Sequence, residues 1–140
     1  EPTKNVFSYL KRNIEANGYA NITAYNKGLW DEARQIDVNG NAKGRENVDA
    51  ITLDSLNLPE VHFMKMDIDG SEPRALKGAI QTIERSPSLK MVIEYYPKYM
   101  QMLNNKPEDM MAILDKYFTY IKIEGDYNDE YWNYFCVRKP

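Results

Sequence analysis

The run Val61-His62-Phe63-Met64-Lys65-Met66 constrains this chain most: apolar at most positions, too short for a helix, and broken at once by Asp67-Ile68-Asp69-Gly70-Ser71-Glu72. An apolar run that ends in carboxylates and a glycine is the pattern of a buried parallel strand and its C-terminal loop. The next residues predict a helix. Ser71 is placed to cap it, Pro73 lies within its first turn, and Leu76, Ala79, Ile80 and Ile83 mark one buried face before Ser86-Pro87 ends it. Leu89 to Ile93 repeats the strand pattern, with Glu94-Tyr95-Tyr96-Pro97 as its loop. A further helix near Pro107 carries Met110, Met111, Ile113, Leu114 and Tyr117 on its core face.

The flanks are less regular. Phe7, Leu10 and Ile14 recur at helical spacing, with Thr3 placed to cap that helix and Asn17-Gly18 placed to stop it. Ile22 to Leu29 reads as a short strand entering a loop at Gly28. Trp30 to Glu46 is polar, with Asn39-Gly40 as a hairpin-turn signal between irregular strands. Val48 to Leu58 reads as a strand end leading into a single helical turn. Tyr120 to Ile123 and Tyr131 to Val137 flank Gly125-Asp126-Tyr127-Asn128-Asp129, so the chain is expected to close with a β-hairpin. Strands alternating with amphipathic helices imply an α/β fold: a mostly parallel sheet covered on both faces, with its ligands bound beyond the C-terminal strand ends. The loops after Leu29, Met66 and Ile93 are therefore where chemistry is expected.

With 140 residues, 43% hydrophobic and 28% charged, the chain reads as a single domain, residues 1–140. Its net charge of −3 and scattered basic residues argue against a nucleic-acid partner. No apolar run approaches the ~18 residues of a membrane span, and Glu1 to Tyr9 has no signal-peptide core, so the expected location is the cytoplasm. Cys136, the lone cysteine, lies in an apolar run and reads as a buried, inert thiol. His62, the lone histidine, reads as structural. One Cys and one His leave almost no room for a zinc site.

Three carboxylates, Asp67, Asp69 and Glu72, fall within six residues directly after the strand. At a strand end they face a half-desolvated crevice, where they can accept hydrogen bonds from hydroxyls, hold a metal or act as a base. Glu72 equally suits the first turn of a helix, where it complements the dipole, and Asp69 equally suits a solvated loop. An EF-hand is excluded, because aligning Gly70 with that loop's glycine puts Lys65 and Leu76 at the first and last ligand positions. Glu94 would lie beside Asp67 if the two strands are neighbours. Tyr95, Tyr96 and Tyr99 could form an aromatic wall for a substrate or an aromatic core edge.

Taken in order, Glu1-Pro2, the helix with Leu10-Lys11-Arg12-Asn13 and Asn17-Gly18, Ile22 to Leu29, Thr52-Leu53-Asp54, Met64 to Glu72 with Leu76-Lys77-Gly78-Ala79, and Val92-Ile93-Glu94 resemble the FkbM-type methyltransferases. The resemblance runs along essentially the whole chain, and the segment from Met64 to Ala79 is its specific part. It implies a Rossmann-like class I methyltransferase fold, a three-layer α/β sandwich on a mostly parallel sheet with a C-terminal antiparallel hairpin. It also implies S-adenosylmethionine as cofactor. Glu1 would bind the ribose hydroxyls, the loop Gly28-Leu29-Trp30-Asp31 would border the adenine, and Asp67 would lie near the methionine moiety and the transferred methyl. Family members generally methylate hydroxyl oxygens, so the implied partner is a small-molecule or carbohydrate hydroxyl, oriented or deprotonated by carboxylates among Asp67, Asp69 and Glu94.

Two departures from the family pattern stand out. The two initial strands, the helix between them and the Gly-rich turn are missing, so the chain is expected to begin inside a longer protein, the alternative being that the remaining strands close up and cofactor binding is lost. A gap is expected between the family's third and fourth strands, where an exposed strand would favour a homo-oligomer. In addition, Tyr95-Tyr96 stand where the family commonly has a histidine after the fifth-strand glutamate. The alternatives are a non-catalytic remnant that serves as an interaction domain, and a glycosyltransferase, since Asp67-Ile68-Asp69 also resembles the Asp-x-Asp that holds manganese and a nucleotide sugar.

Overall fold

The computed structural model describes residues 1–39, 44–125 and 130–140. Helix α1 (Lys4–Ala16) forms where the periodicity places it, but Thr3 does not cap it. Instead the Glu1 carboxylate accepts hydrogen bonds from both the Thr3 N–H and the Thr3 hydroxyl, each at 2.7 Å. At the other end the Asn17 N–H returns to the Asn13 carbonyl and Gly18 turns out of the helix with φ +66°. No residue of α1 is buried: Phe7 and Ile14 are half-covered, and Leu10 is exposed.

The strand expected over Ile22 to Leu29 contracts to β1 (Gly28–Leu29). Residues 22–27 pair with no strand among the described residues; the Tyr25 carbonyl instead accepts from the Glu1 amino group at 3.3 Å. β2 (Arg34–Asn39) and β3 (Arg45–Ile51) form an antiparallel pair, and β1 runs parallel to β3 on the other side. The Asn39-Gly40 turn reaches outside the described residues. A single 3-10 turn, Asp54–Leu56, follows as expected.

The second half of the chain holds β4 (Phe63–Met66), α2 (Glu72–Lys77), α3 (Ile80–Glu84), β5 (Lys90–Tyr95), α4 (Pro97–Met102), α5 (Pro107–Tyr117), β6 (Phe118–Gly125) and β7 (Trp132–Arg138). The strands make a separate sheet in the order β4-β5-β7-β6, with β4 and β5 parallel and the hairpin strands antiparallel. The expected loop residues Glu94 and Tyr95 belong to β5 itself, and α4 was not foreseen. The hairpin's connecting residues Asp126 to Asp129 lie outside the described residues.

The one long helix expected after Ser71 is two. The α2–α3 break falls at Gly78, where a Cβ would lie 2.1 Å from the carbonyl oxygen of Trp30. Only glycine lets the loop after β1 pack this closely on the helix pair. Asp54 then holds α3 from outside: its Oδ1 accepts from the Thr82 N–H and hydroxyl, both at 2.7 Å, and its Oδ2 from the Gln81 N–H at 3.0 Å. It does the work of an N-cap from a distant turn.

The core lies on one face of the four-stranded sheet. Met66, Met91, Ile93 and Cys136 pack there with Leu76, Ile83, Met110, Leu114 and Phe118. Each such side chain taken from water contributes about 1.5–3 kcal/mol.

Two expectations about the sheet are corrected. Parallel pairing is not the majority: among the described residues two strand pairings are parallel and three antiparallel. Nor is the sheet covered on both faces. The register puts Phe63, Lys90 and Val137 opposite one another on the side away from the core, and Ile121 opposite Phe135, with Phe63 59% and Ile121 61% exposed. β4 is therefore open on one face instead of buried. No strand among the described residues joins the two sheets, which part at the place where the gap was expected.

Candidate active site

Asp67 and Glu94 come together at the C-terminal ends of the adjacent parallel strands β4 and β5. The pairings Lys65↔Val92 and Met66↔Ile93, with strict alternation, put Lys65, Asp67 and Glu94 on the open side while Met66 and Ile93 enter the core. Lys65 Nζ lies 2.5 Å from Asp67 Oδ2, a same-face i,i+2 contact along the strand. Burial, reinforced by the negative charges of Asp67 and Asp69, raises the Glu94 carboxyl above its ordinary 4.5, with Lys65 pulling it back. Asn133 on β7 is the register partner of Glu94. Asp69 is exposed on a left-handed turn, φ +54°, followed by Gly70 at φ +85°. A side chain at Gly70 would press on the backbone of Met100 and the ring of Tyr99 at 3.2 Å.

Glu72 behaves unlike the other carboxylates. It is fully buried, its Oε1 accepts from the Ile68 N–H at 2.8 Å, and its Oε2 has no hydrogen-bond partner. Burial pushes its carboxyl up to about 7, against backbone hydrogen bonds that lower it and with the charges of Glu94 and Asp67 adding to the rise. The Ser71 side chain makes no cap bond.

A polar chain ties this loop to the first half of the molecule. Asp31 accepts from Arg74 Nη1 at 2.8 Å, Arg74 Nε donates to Asn105 Oδ1 at 3.2 Å, and buried Asn105 donates to the Gly70 carbonyl at 2.8 Å. Asp31, expected at the adenine, is thus held in an ion pair. Gly28 is buried in β1, where a Cβ would meet Ile36 at 3.1 Å, and Leu29 is half-buried beside it. Glu1, expected at the ribose, is exposed but spends Oε1 on Thr3.

The tyrosines divide. Tyr95 turns to the core side, with Trp132 at 5.0 Å and Tyr134 at 5.7 Å between ring centroids, while Tyr96 meets Tyr99 and Tyr131 at the rim. The core-edge reading holds for Tyr95. His62 is exposed and 3.9 Å from Glu60, not a core residue. Cys136 is buried, and burial raises its thiol to about 12, as an inert thiol requires. Lys65, Asn133 and Asn105 escaped sequence reasoning. Only Lys65 left a signal, its i,i+2 spacing from Asp67 along a strand. Two shallow cavities, of about 220 Å³ around Lys4, Gln35 and Asp49 and about 260 Å³ around Phe7, Ile14 and Ile22, lie away from these carboxylates.

Carboxylates gathered beyond the C-terminal ends of adjacent parallel strands, with helices packed beneath, define an α/β arrangement. It belongs to the methyltransferase FkbM domain family, whose model matches residues 4–122. The crystal structure of methyltransferase FkbM from Methylobacillus flagellatus KT is similar in fold, with a TM-score of 0.68 at 20% identity. The similarity covers 98% of this chain and 35% of that one, so the chain spans about a third of that protein's length. No curated protein matches it in sequence. No helix among the described residues is long and apolar enough to cross a membrane.

Proposed function

We propose that this chain is the catalytic-side portion of an S-adenosylmethionine-dependent O-methyltransferase acting on a hydroxyl of a small molecule or carbohydrate. The observation that carries the reading is the pairing of Asp67 with a Glu94 of raised basicity at the ends of β4 and β5. The two separate sheets suit parts of one larger class I sheet with further strands between β1 and β4.

The donor set fits the cofactor's chemistry. Asp67 and Asp69 offer negative charge to a sulfonium and acceptors to hydroxyls, and Glu1 keeps Oε2 for a ribose hydroxyl. The loop that Gly28 and Leu29 open would border the adenine, and Asp31 braces that loop to Arg74. S-adenosylmethionine bound there would supply an electrophilic methyl group. Glu94 accepts the hydrogen bond of the incoming hydroxyl and takes its proton, a role suited to a carboxyl above the ordinary range. Asp67, steadied by Lys65, orients the reacting groups.

The test is calorimetric titration with S-adenosylhomocysteine of this chain and of a chain extended upstream. Binding by the extended chain supports the reading. Absence of binding by both would sink it. In that case the interaction-domain reading gains, for which the apolar open face of the four-stranded sheet speaks, with Phe63, Ile121 and Val137 exposed. The family assignment favours methyl transfer over the Asp-x-Asp sugar-transfer alternative.

A further inference from the structure

Glu72 is the one carboxyl of the cluster that cannot reach a ligand from solvent, yet it is the one most firmly built in. Its side chain is fully buried between α2 and the loop after β4, and Oε1 holds the Ile68 N–H at 2.8 Å. Ile68 itself packs on the core, so this one bond fixes the middle of the segment that carries Asp67 on one side and Asp69 on the other.

Resting on the methyltransferase reading, we propose that Glu72 is a positioning residue: an uncharged carboxylic acid sealed beneath the Asp67–Gly70 loop, which holds Asp67 and Asp69 at the mouth of the site without adding a charge to them. A fully buried carboxylate with an unpartnered oxygen would carry a large desolvation cost. The charged groups that act on it make this worse, since Asp67, after β4, and Glu94, on β5, are both acidic. On its own helix Arg74 is committed to Asp31 and Asn105, and Lys77 to Asp109. The neutral form relieves both penalties and still leaves Oε1 to accept the Ile68 N–H. Its elevated proton affinity agrees with this.

The experiment compares wild type, Glu72→Gln and Glu72→Leu in the longest natural chain that carries this segment. It reads hydrogen exchange of the peptide spanning Ile68 by mass spectrometry and S-adenosylhomocysteine affinity by calorimetry, at about pH 6 and about pH 8. Glutamine keeps the acceptor and never ionises, so at the lower pH it should match wild type within about twofold in both readouts, and at the higher pH bind more tightly than wild type. Leucine removes the acceptor, and the loop should exchange about tenfold faster and bind at least about fivefold more weakly.

A glutamine variant that fails like leucine at the lower pH would overturn the proposal, because a charged carboxylate would then be required. So would a leucine variant indistinguishable from wild type. Should leucine prevent folding, the comparison of glutamine with wild type across the two pH values decides alone. No S-adenosylhomocysteine binding by the wild type would overturn the methyltransferase reading instead, with the exchange data still deciding whether Glu72 holds the loop.

Discussion

Lys65 acts on both carboxylates on which the proposed chemistry depends, paired to Asp67 at 2.5 Å and opposing the burial that raises Glu94. Replacing Asp67 by Asn is expected to cut methyl transfer by about 100-fold or more while circular dichroism shows an intact fold. An unchanged rate removes Asp67 from the mechanism. Lys65→Met takes away the positive charge that lowers Glu94, so the acidic limb of the pH–rate profile should move to higher pH; a shift downward contradicts the arrangement. Glu72 carries a stability effect of defined sign. Its folded carboxyl titrates near 7 against 4.5 for the ordinary group, so its contribution is fullest below about pH 4.5 and is lost as pH rises through 7. The difference is on the order of 3 kcal/mol. Urea unfolding across that range should show this slope in wild type and its absence in Glu72→Gln. The sequence alone showed three carboxylates after a strand, but not that one of them turns inward, because Glu72 is buried by packing between elements far apart in the chain.

Among the elements, the helix pair α2–α3 depends on two long-range contacts. Gly78→Ala would place a methyl 2.1 Å from the Trp30 carbonyl, so the loop after β1 must shift or the pair must separate. The expected cost is about 2–3 kcal/mol, read as a lowered midpoint of thermal unfolding. Asn105→Ala would strand the Gly70 carbonyl and one arm of Arg74, at about 1–3 kcal/mol, and should loosen the turn that presents Asp69. Helical periodicity located α1 and α5 within a residue or two, since hydrophobic spacing is a local property. It ran α2 and α3 together because the reason for their break, the approach of Trp30, lies 48 positions upstream of Gly78.

At the scale of the whole molecule, the open face of the four-stranded sheet is the main feature. Ile121 and Phe63 are exposed to a degree that a strand face flanked by helices on both sides would not show. The 140-residue chain is therefore expected to bind an apolar fluorescent dye, and Ile121→Lys should reduce that signal; a chain that leaves the dye dark would mean the face is covered in solution. The alternation of strands and helices, the closing hairpin and the placement of Asp67 and Glu94 at strand ends were legible in the residues, because each follows from local apolar pattern and from the rule that loops after parallel strands face one way, whereas the pairing of β4 with β5 stood only as a condition. Tertiary structure alone decided that the strands form two sheets, that one face stays open, that Asp31 is spent on Arg74, and that Glu72 lies in the core. Those outcomes turn on which distant segments are present to pack and pair, and a local pattern of side chains carries no record of its partners.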